Sequence, residues 1–518
     1  MAALLSFCLD DETLAAYARD ELGPERRARA QRHLHDCAGC FVGLIGELRR
    51  IRDAGKTVKP PTPRAAAMPR PRRRWTTLLG LPLAGFVTTL AILGSVGDAN
   101  EASLCDDPRA HAERAWSVEQ RAALARDGAG AALASQLDRE ADAWARVTEE
   151  RCAARDPIAA AELQCLAEQR ERIAAFADTV LQHRAGDPRP RLRAAQWLGD
   201  PAWCAGIDVV PAEGSDPAEL RLGLARLQGV ALAGDREGAI AGLGELERRA
   251  RELGQRSFEA ELLLARGRIE AQGEQLDLAG ASLLAAANTA EAARADAVVA
   301  EALLALVDVT AKGGELSRAR EYADRTAAAI ERTGVPNRRL DGRLALARAA
   351  IDLRAGDDAR AESGLQAAAT LLPPDDPARI DALTQLAEVQ ARRGFPRGAI
   401  TTMQRVIEAQ TDRLGEHHPL VALAHLDSAR HHRALGERDA ALLELDRGLP
   451  IALRSLGARS EPVGRMLDLR GELLRELGRR DEAIEHFRRA RRILAELLGD
   501  HHESVEATVA HEALALAQ

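Results

Sequence analysis

Three cysteines and a histidine near the start of the chain carry the clearest chemistry in the sequence. His33-Leu-His-Asp-Cys37-Ala-Gly-Cys40 sets two thiolates on one tight turn and an imidazole one helical turn before them. Zinc takes four soft or borderline ligands in a tetrahedron, and Cys8, across an intervening helix, supplies the fourth. The expected site is therefore Cys8, His33, Cys37 and Cys40, with His35 facing solvent. Around them Leu14, Tyr17, Leu22, Leu34 and Leu44 make a core so small that it needs the metal to fold.

The other four cysteines, Cys105, Cys152, Cys165 and Cys204, lie beyond an uncharged run from Trp75 to Gly97. That run, WTTLLGLPLAGFVTTLAILGSVG, has 23 residues. About 20 suffice to cross a bilayer core. RPRRR precedes it and DANEASLCDD follows, which predicts a single-pass protein with the N-terminus cytoplasmic and the rest outside. The first 74 residues hold 15 Lys+Arg against 9 Asp+Glu, so a basic head precedes an acidic bulk. The cysteines divide accordingly: three where thiols stay reduced, four where they can pair. Four cysteines permit three connectivities. An antiparallel hairpin turning near Asp156-Pro157 favours Cys152 with Cys165, which leaves Cys105 with Cys204.

Only 3% of residues are aromatic, while Ala, Leu, Arg and Glu abound, so the fold class is all-α. Beyond residue 216 a glycine recurs at Gly234, Gly273, Gly314, Gly356, Gly394, Gly436 and Gly478, spaced by 39, 41, 42, 38, 42 and 42. An alanine follows five residues later in six of these units and six later at Ala279. Leu414-Gly415, Leu456-Gly457 and Leu498-Gly499 mark the same period. Paired helices that bury their faces on their neighbours form a solenoid with a concave surface suited to a protein or peptide. His418 and His502 occupy equivalent places two periods apart, which predicts a turn-capping role rather than a metal site.

The expected domains are a zinc-binding unit (1–52), a Pro/Arg-rich linker (53–74), a transmembrane helix (75–97), a cysteine-containing helical domain (98–215) and helical repeats (216–518). No nucleotide-binding loop or nucleophile elbow is present. Gly55-Lys56-Thr57 lacks the earlier glycine, and Gly94-Ser95-Val96-Gly97 has the wrong spacing. Nothing asks for an enzyme, and the acidic, aromatic-poor bulk argues against nucleic acid.

Cys8-Leu-Asp-Asp-Glu-Thr-Leu14-Ala-Ala-Tyr17, Glu21-Leu22 and His33-x3-Cys37-x2-Cys40 together resemble the zinc-binding anti-sigma domain of bacterial transcription regulators. The resemblance covers roughly residues 5–52. It implies a zinc-pinned helical unit at the inner membrane that sequesters an extracytoplasmic-function sigma factor, with release through regulated proteolysis. One feature departs from that family. Pro60, Pro61, Pro63, Pro69 and Pro71 replace a further helix with a semi-extended tether, which keeps open an envelope scaffold whose head docks another cytoplasmic protein. LGEHHP and LGDHHE at a 42-residue spacing resemble the tetratricopeptide repeats of kinesin light chains. The Cys105 to Cys204 region, with its Trp116, Trp144 and Trp203, resembles the outer part of some bacterial transmembrane Ser/Thr kinases.

Overall fold

The computed structural model describes residues 104–154, 160–183, 189–204, 218–273, 275–374 and 376–517, with a few positions between 13 and 30. The chain divides into two units, Met1–Leu81 and Pro82–Gln518. In the first, Thr13, Ala15, Ala16, Arg26 and Ala30 are helical, and Ala30 is buried. The expected ligands Cys8, His33, Cys37 and Cys40, the expected linker and the expected span 75–97 lie outside the described residues. Among the described residues no helix is long and apolar enough to cross a membrane, and none belongs to a strand.

The second unit opens with a helical cap. Helices α1 (Pro108–Ala115), α2 (Val118–Leu124), α3 (Gly128–Ala153), α4 (Ala160–Gln182) and α5 (Arg189–Ala194) are followed by 3-10 turns at Ala195–Trp197 and Pro201–Cys204. Asp107, Ser117 and Asp127 cap the first three, each accepting a backbone N–H of its first turn. Trp116, Leu137, Trp144, Leu166 and Phe176 form the core. The indole of Trp144 donates to the Leu166 carbonyl at 2.8 Å, so its one polar atom is satisfied. Arg151 pairs with Glu162 at 2.7 Å, and these cross-links run α3 and α4 antiparallel.

The expected disulfide pairing is corrected here. Cys105 joins Cys152 and Cys165 joins Cys204, with Cα separations of 5.5 and 5.6 Å. The reason is α1, which packs across both long helices. Cys152, at the end of α3, therefore meets the chain just before α1. Cys165, in α4, faces the turn at Pro201–Cys204 instead of its hairpin partner.

The rest is a stack of helix pairs. Each pair has a first and a second helix: α6 (Ala218–Ala233) with α7 (Arg236–Glu252), α8 (Arg256–Gln272) with α9 (Leu276–Ala292), and α10 (Asp296–Lys312) with α11 (Leu316–Arg332). Then come α12 (Arg338–Arg354) with α13 (Asp358–Leu371) and α14 (Pro377–Arg392) with α15 (Pro396–Leu414). The last pairs are α16 (Pro419–Ala434) with α17 (Arg438–Leu456) and α18 (Glu461–Glu476) with α19 (Arg480–Leu498), before a single α20 (Glu503–Ala517). The architecture is a tetratricopeptide-like solenoid. First helices of several successive pairs approach one another more closely than the second helices do, so the stack curves with the first helices inside.

The periodic residues have local jobs. Within six of the pairs the turn glycine has φ between 77° and 109°, where a side chain is strained. Gly273 is the exception at φ −87°, standing two residues before the N-cap position Gln275 where its counterparts stand one before theirs. The irregular spacing at that unit is thus a displaced glycine, because Ala279 holds the same helical position as its counterparts. Ala239, Ala279, Ala319, Ala361, Ala399, Ala441 and Ala483 are all 0% exposed, where each second helix meets its partner. Gly471 is needed for the same close approach: a Cβ there would lie 2.6 Å from the Phe487 ring.

The Leu-Gly marks end second helices of 19 residues, against 17 in α7, α9 and α11. Gly415, Gly457 and Gly499 have φ 81–87° with ψ 152–163°, a region open essentially to glycine alone. The longer repeat is therefore a longer second helix closed by a glycine-only bend.

Candidate functional site

The solenoid's first-helix face carries charges of alternating sign. Arg221 on α6 pairs with Glu261 on α8 at 3.2 Å. Glu301 on α10 bonds Arg268 of α8 and, at 3.1 Å, Arg343 of α12. Burial pushes the Glu301 carboxyl up, but the two guanidinium groups overcome it and hold it at about 2. These pairs tie successive first helices together and use up their own charge.

The cap packs on α6 of the first pair and again lies against the repeats from α12 onward. Arg189 pairs with Glu461 at 2.8 Å, and Arg413 donates to the Gln196 carbonyl at 2.7 Å. The Arg339 guanidinium sits 3.2 Å over the Trp203 ring while its Nε reaches Asp376. His418 Nε2 meets Gln136 Oε1 at 3.1 Å. Between α3, the Pro201–Cys204 turn, α14 and α15 these contacts leave a cleft of about 710 Å³. That volume suits a small ligand or a short peptide rather than a folded domain.

Titratable groups around the cleft depart from their ordinary values. Burial pushes the Glu140 carboxyl up to about 7, with Arg413 opposing and Asp200 adding to the rise. Asp381 on α14 is pushed up to about 6 by burial, against the pull of Arg193 from the cap. Arg139 and Arg379 are lowered, first by burial and, for Arg379, also by Arg405.

The histidines divide as their positions require. His418 and His502 cap α16 and α20: Nδ1 of each accepts the N–H two residues on, at 3.2 Å. His418 is buried and its Nε2 must donate to Gln136, so the ring is neutral; burial and Arg139 depress it to about 3. His511 lies between Asp468 (3.2 Å) and Glu472 (3.4 Å), and Arg433 bonds Glu472 at 2.7 Å. The hydrogen bond to Asp468 raises the His511 pKa, which makes the group an ion-pair staple between α18 and α20.

The neutral His418 gives a pH prediction. Its folded pKa lies below the unfolded value, so stability is present above about 6.5 and is lost as pH falls toward 3. The loss approaches one proton's worth, about 1.4 kcal/mol per pH unit. His418→Asn keeps a capping oxygen and should flatten the acid limb of a denaturation-versus-pH curve. An unchanged slope between pH 6 and 4 would show that His418 does not control it.

The cleft residues were not singled out from the sequence, since the wall of α3 and the wall of α14 and α15 come from distant segments with no shared motif. The zinc ligands expected from the sequence fall outside the described residues, and the Cys165–Cys204 bridge ties the Pro201–Cys204 turn, one wall of the cleft, to α4.

A family model described as "Putative zinc-finger" matches residues 11–41, a span that holds His33, Cys37 and Cys40 and begins after Cys8. No curated protein matches the chain. Among solved structures, a kinesin light chain of Podosopora anserina with nearly identical TPR-like repeats is similar at 19% identity, over 38% of this chain and 95% of that one, with a TM-score of 0.34. A signal-transduction ATPase with a tetratricopeptide repeat sensor from Pyrococcus horikoshii is similar at 11% identity, over 72% and 68%, with a TM-score of 0.44. A Rap protein complexed with competence and sporulation factor is similar at 14% identity, over 67% and 98%, with a TM-score of 0.34.

Proposed function

We propose that the chain is a membrane-anchored regulator of the anti-sigma type. Its zinc head holds a sigma factor on the cytoplasmic side, residues 75–97 cross the bacterial inner membrane once, and the repeat body outside binds a protein or peptide. The carrying observation is the division of the cysteines. Cys37 and Cys40 stand with His33 inside the zinc-finger match, while the four cysteines beyond the apolar run are all disulfide-bonded. Reduced thiolates suit zinc, and paired cysteines suit an oxidising compartment. A partner that binds the outer body can act on the head only by favouring one state of the protein over another.

The proline-rich tether favours a second reading, a scaffold whose zinc head docks a different cytoplasmic protein. One experiment separates the two. The full chain, solubilised in detergent, is purified with co-expressed sigma factors of the same genome, as wild type and as Cys37→Ser. The regulator binds one equivalent of zinc and retains a sigma factor, and the variant loses both. Zinc without any sigma factor moves the assignment to the scaffold, and no zinc removes the ligand set.

A further inference from the structure

Arginines along the solenoid are mostly matched with acids. On α12 and at the end of α14, Arg339 pairs with Asp376, Arg392 with Asp358 and Arg393 with Glu362. Four arginines that line the cleft itself break this pattern. Arg139 and Arg146 come from α3, Arg379 from α14 and Arg405 from α15. None of the four has a carboxylate within 4.0 Å among the described residues. Nε of Arg139 is fully buried and has no hydrogen-bond partner. Arg379 gives its Nε to the Ala369 carbonyl at 3.1 Å and faces the like charge of Arg405. Two walls from distant parts of the chain thus bring unmatched guanidinium groups to one concavity, at a cost in mutual repulsion.

We propose that this cleft binds an acidic peptide segment, whose carboxylates are taken by Arg379 and Arg405 on the repeat wall and by Arg139 and Arg146 on the cap wall. Guanidinium forks match carboxylates two bonds at a time. Ala143, Pro201 and Leu383 also line the cleft and give its walls apolar surface suited to the uncharged side chains of such a segment. Asp142, Asp200, Glu408 and Asp412 line the cleft as well, and Asp142, Glu408 and Asp412 are exposed as Arg146 and Arg405 are; they would repel a dense polyanion, but not a chain whose acids are spaced to meet the arginines. Glu140 strengthens the preference for an anion, because a carboxyl held up at about 7 leaves much of its charge off near neutrality. A segment seated here touches cap and repeats together and holds them in one arrangement.

This inference rests on the reading of the outer body as a protein-binding module. The test uses the full chain in detergent and a fluorescein-labelled octapeptide of alternating Glu and Ala, followed by anisotropy at low salt. The Glu-Ala peptide should bind and a Lys-Ala peptide should not. Arg379→Gln with Arg405→Gln should weaken binding at least tenfold. Arg405→Lys alone should retain most of it, and Arg392→Gln, outside the cleft, should change nothing. Equal affinity in the double variant would overturn the site, as would equal binding of the Lys-Ala peptide. Tripolyphosphate binding more tightly than the peptide would also overturn it, in favour of a phosphate site. Retention of the sigma factor is read at the other end of the chain, so a failed cleft and a failed regulator are told apart.

Discussion

Gly229→Ala is expected to destabilise the outer unit by about 3 kcal/mol, the upper end of what one inserted methyl group costs in a packed interior. Gly229 is in α6, where the first repeat packs against α4 of the cap. A Cβ there would press into the Arg172 carbonyl oxygen and come within 3.1 Å of the Phe176 nitrogen and the Ala175 Cβ. Two of these three atoms are backbone, so no rotamer change relieves the clash and the helices must part. Parting them strains the α6 face that the following repeats continue. Gly244→Ala in α7 is the matched control. Its nearest neighbour is an Arg266 nitrogen at 3.8 Å, so alanine gains helix propensity of about 0.5–1 kcal/mol without a clash. Denaturant unfolding of the two variants should move in opposite directions. If Gly229→Ala matches wild type, α4 and α6 do not meet at backbone contact distance.

The contrast between these glycines shows which parts of the fold were legible beforehand. Repeat length could be read because its causes are local. A left-handed turn needs glycine at Gly436 or Gly478, and a close helix crossing needs alanine at Ala441 or Ala483. Each leaves its mark at a fixed offset. Even the irregular unit at Gly273 proved to be one displaced residue. The capping role of His418 and His502 was legible for the same reason, since a cap acts two residues away. Cap placement was not legible. Gln196 meets Arg413 across 217 residues and Gln136 meets His418 across 282, and no periodicity relates them. The cleft inherits that difficulty, because its arginines are unremarkable until both walls are in place. The disulfide pairing failed for a smaller version of the same reason. Cys152 and Cys165 flank a hairpin turn, but α1 lies across the hairpin and carries Cys105 to the end of α3.

Loss of the Cys165–Cys204 bridge is expected to be the most damaging single change in the outer unit. The two bridges close segments of 39 and 47 residues, and the chain-entropy account assigns each about 4 kcal/mol. Removing Cys165–Cys204 does more than free the unfolded chain. Cys204 is 3% exposed and ends the 3-10 turn that carries Pro201 and Trp203. Without the bridge, that turn loses its tether to α4 while still holding the stack under Arg339 and one wall of the cleft. Cys165→Ser with Cys204→Ser should therefore lower the melting temperature and also raise hydrogen exchange near the start of α12. Cys105→Ser with Cys152→Ser should lower the melting temperature alone, since that bridge ties the chain before α1 to the end of α3 and does not hold the Pro201–Cys204 turn. Thiol labelling in intact cells extends the comparison to topology. In the proposed arrangement these four cysteines resist alkylation until a reductant is added, whereas Cys37 and Cys40 become reactive once zinc is chelated. Four free outer thiols in cells would place the repeat body in a reducing compartment and withdraw the outside location.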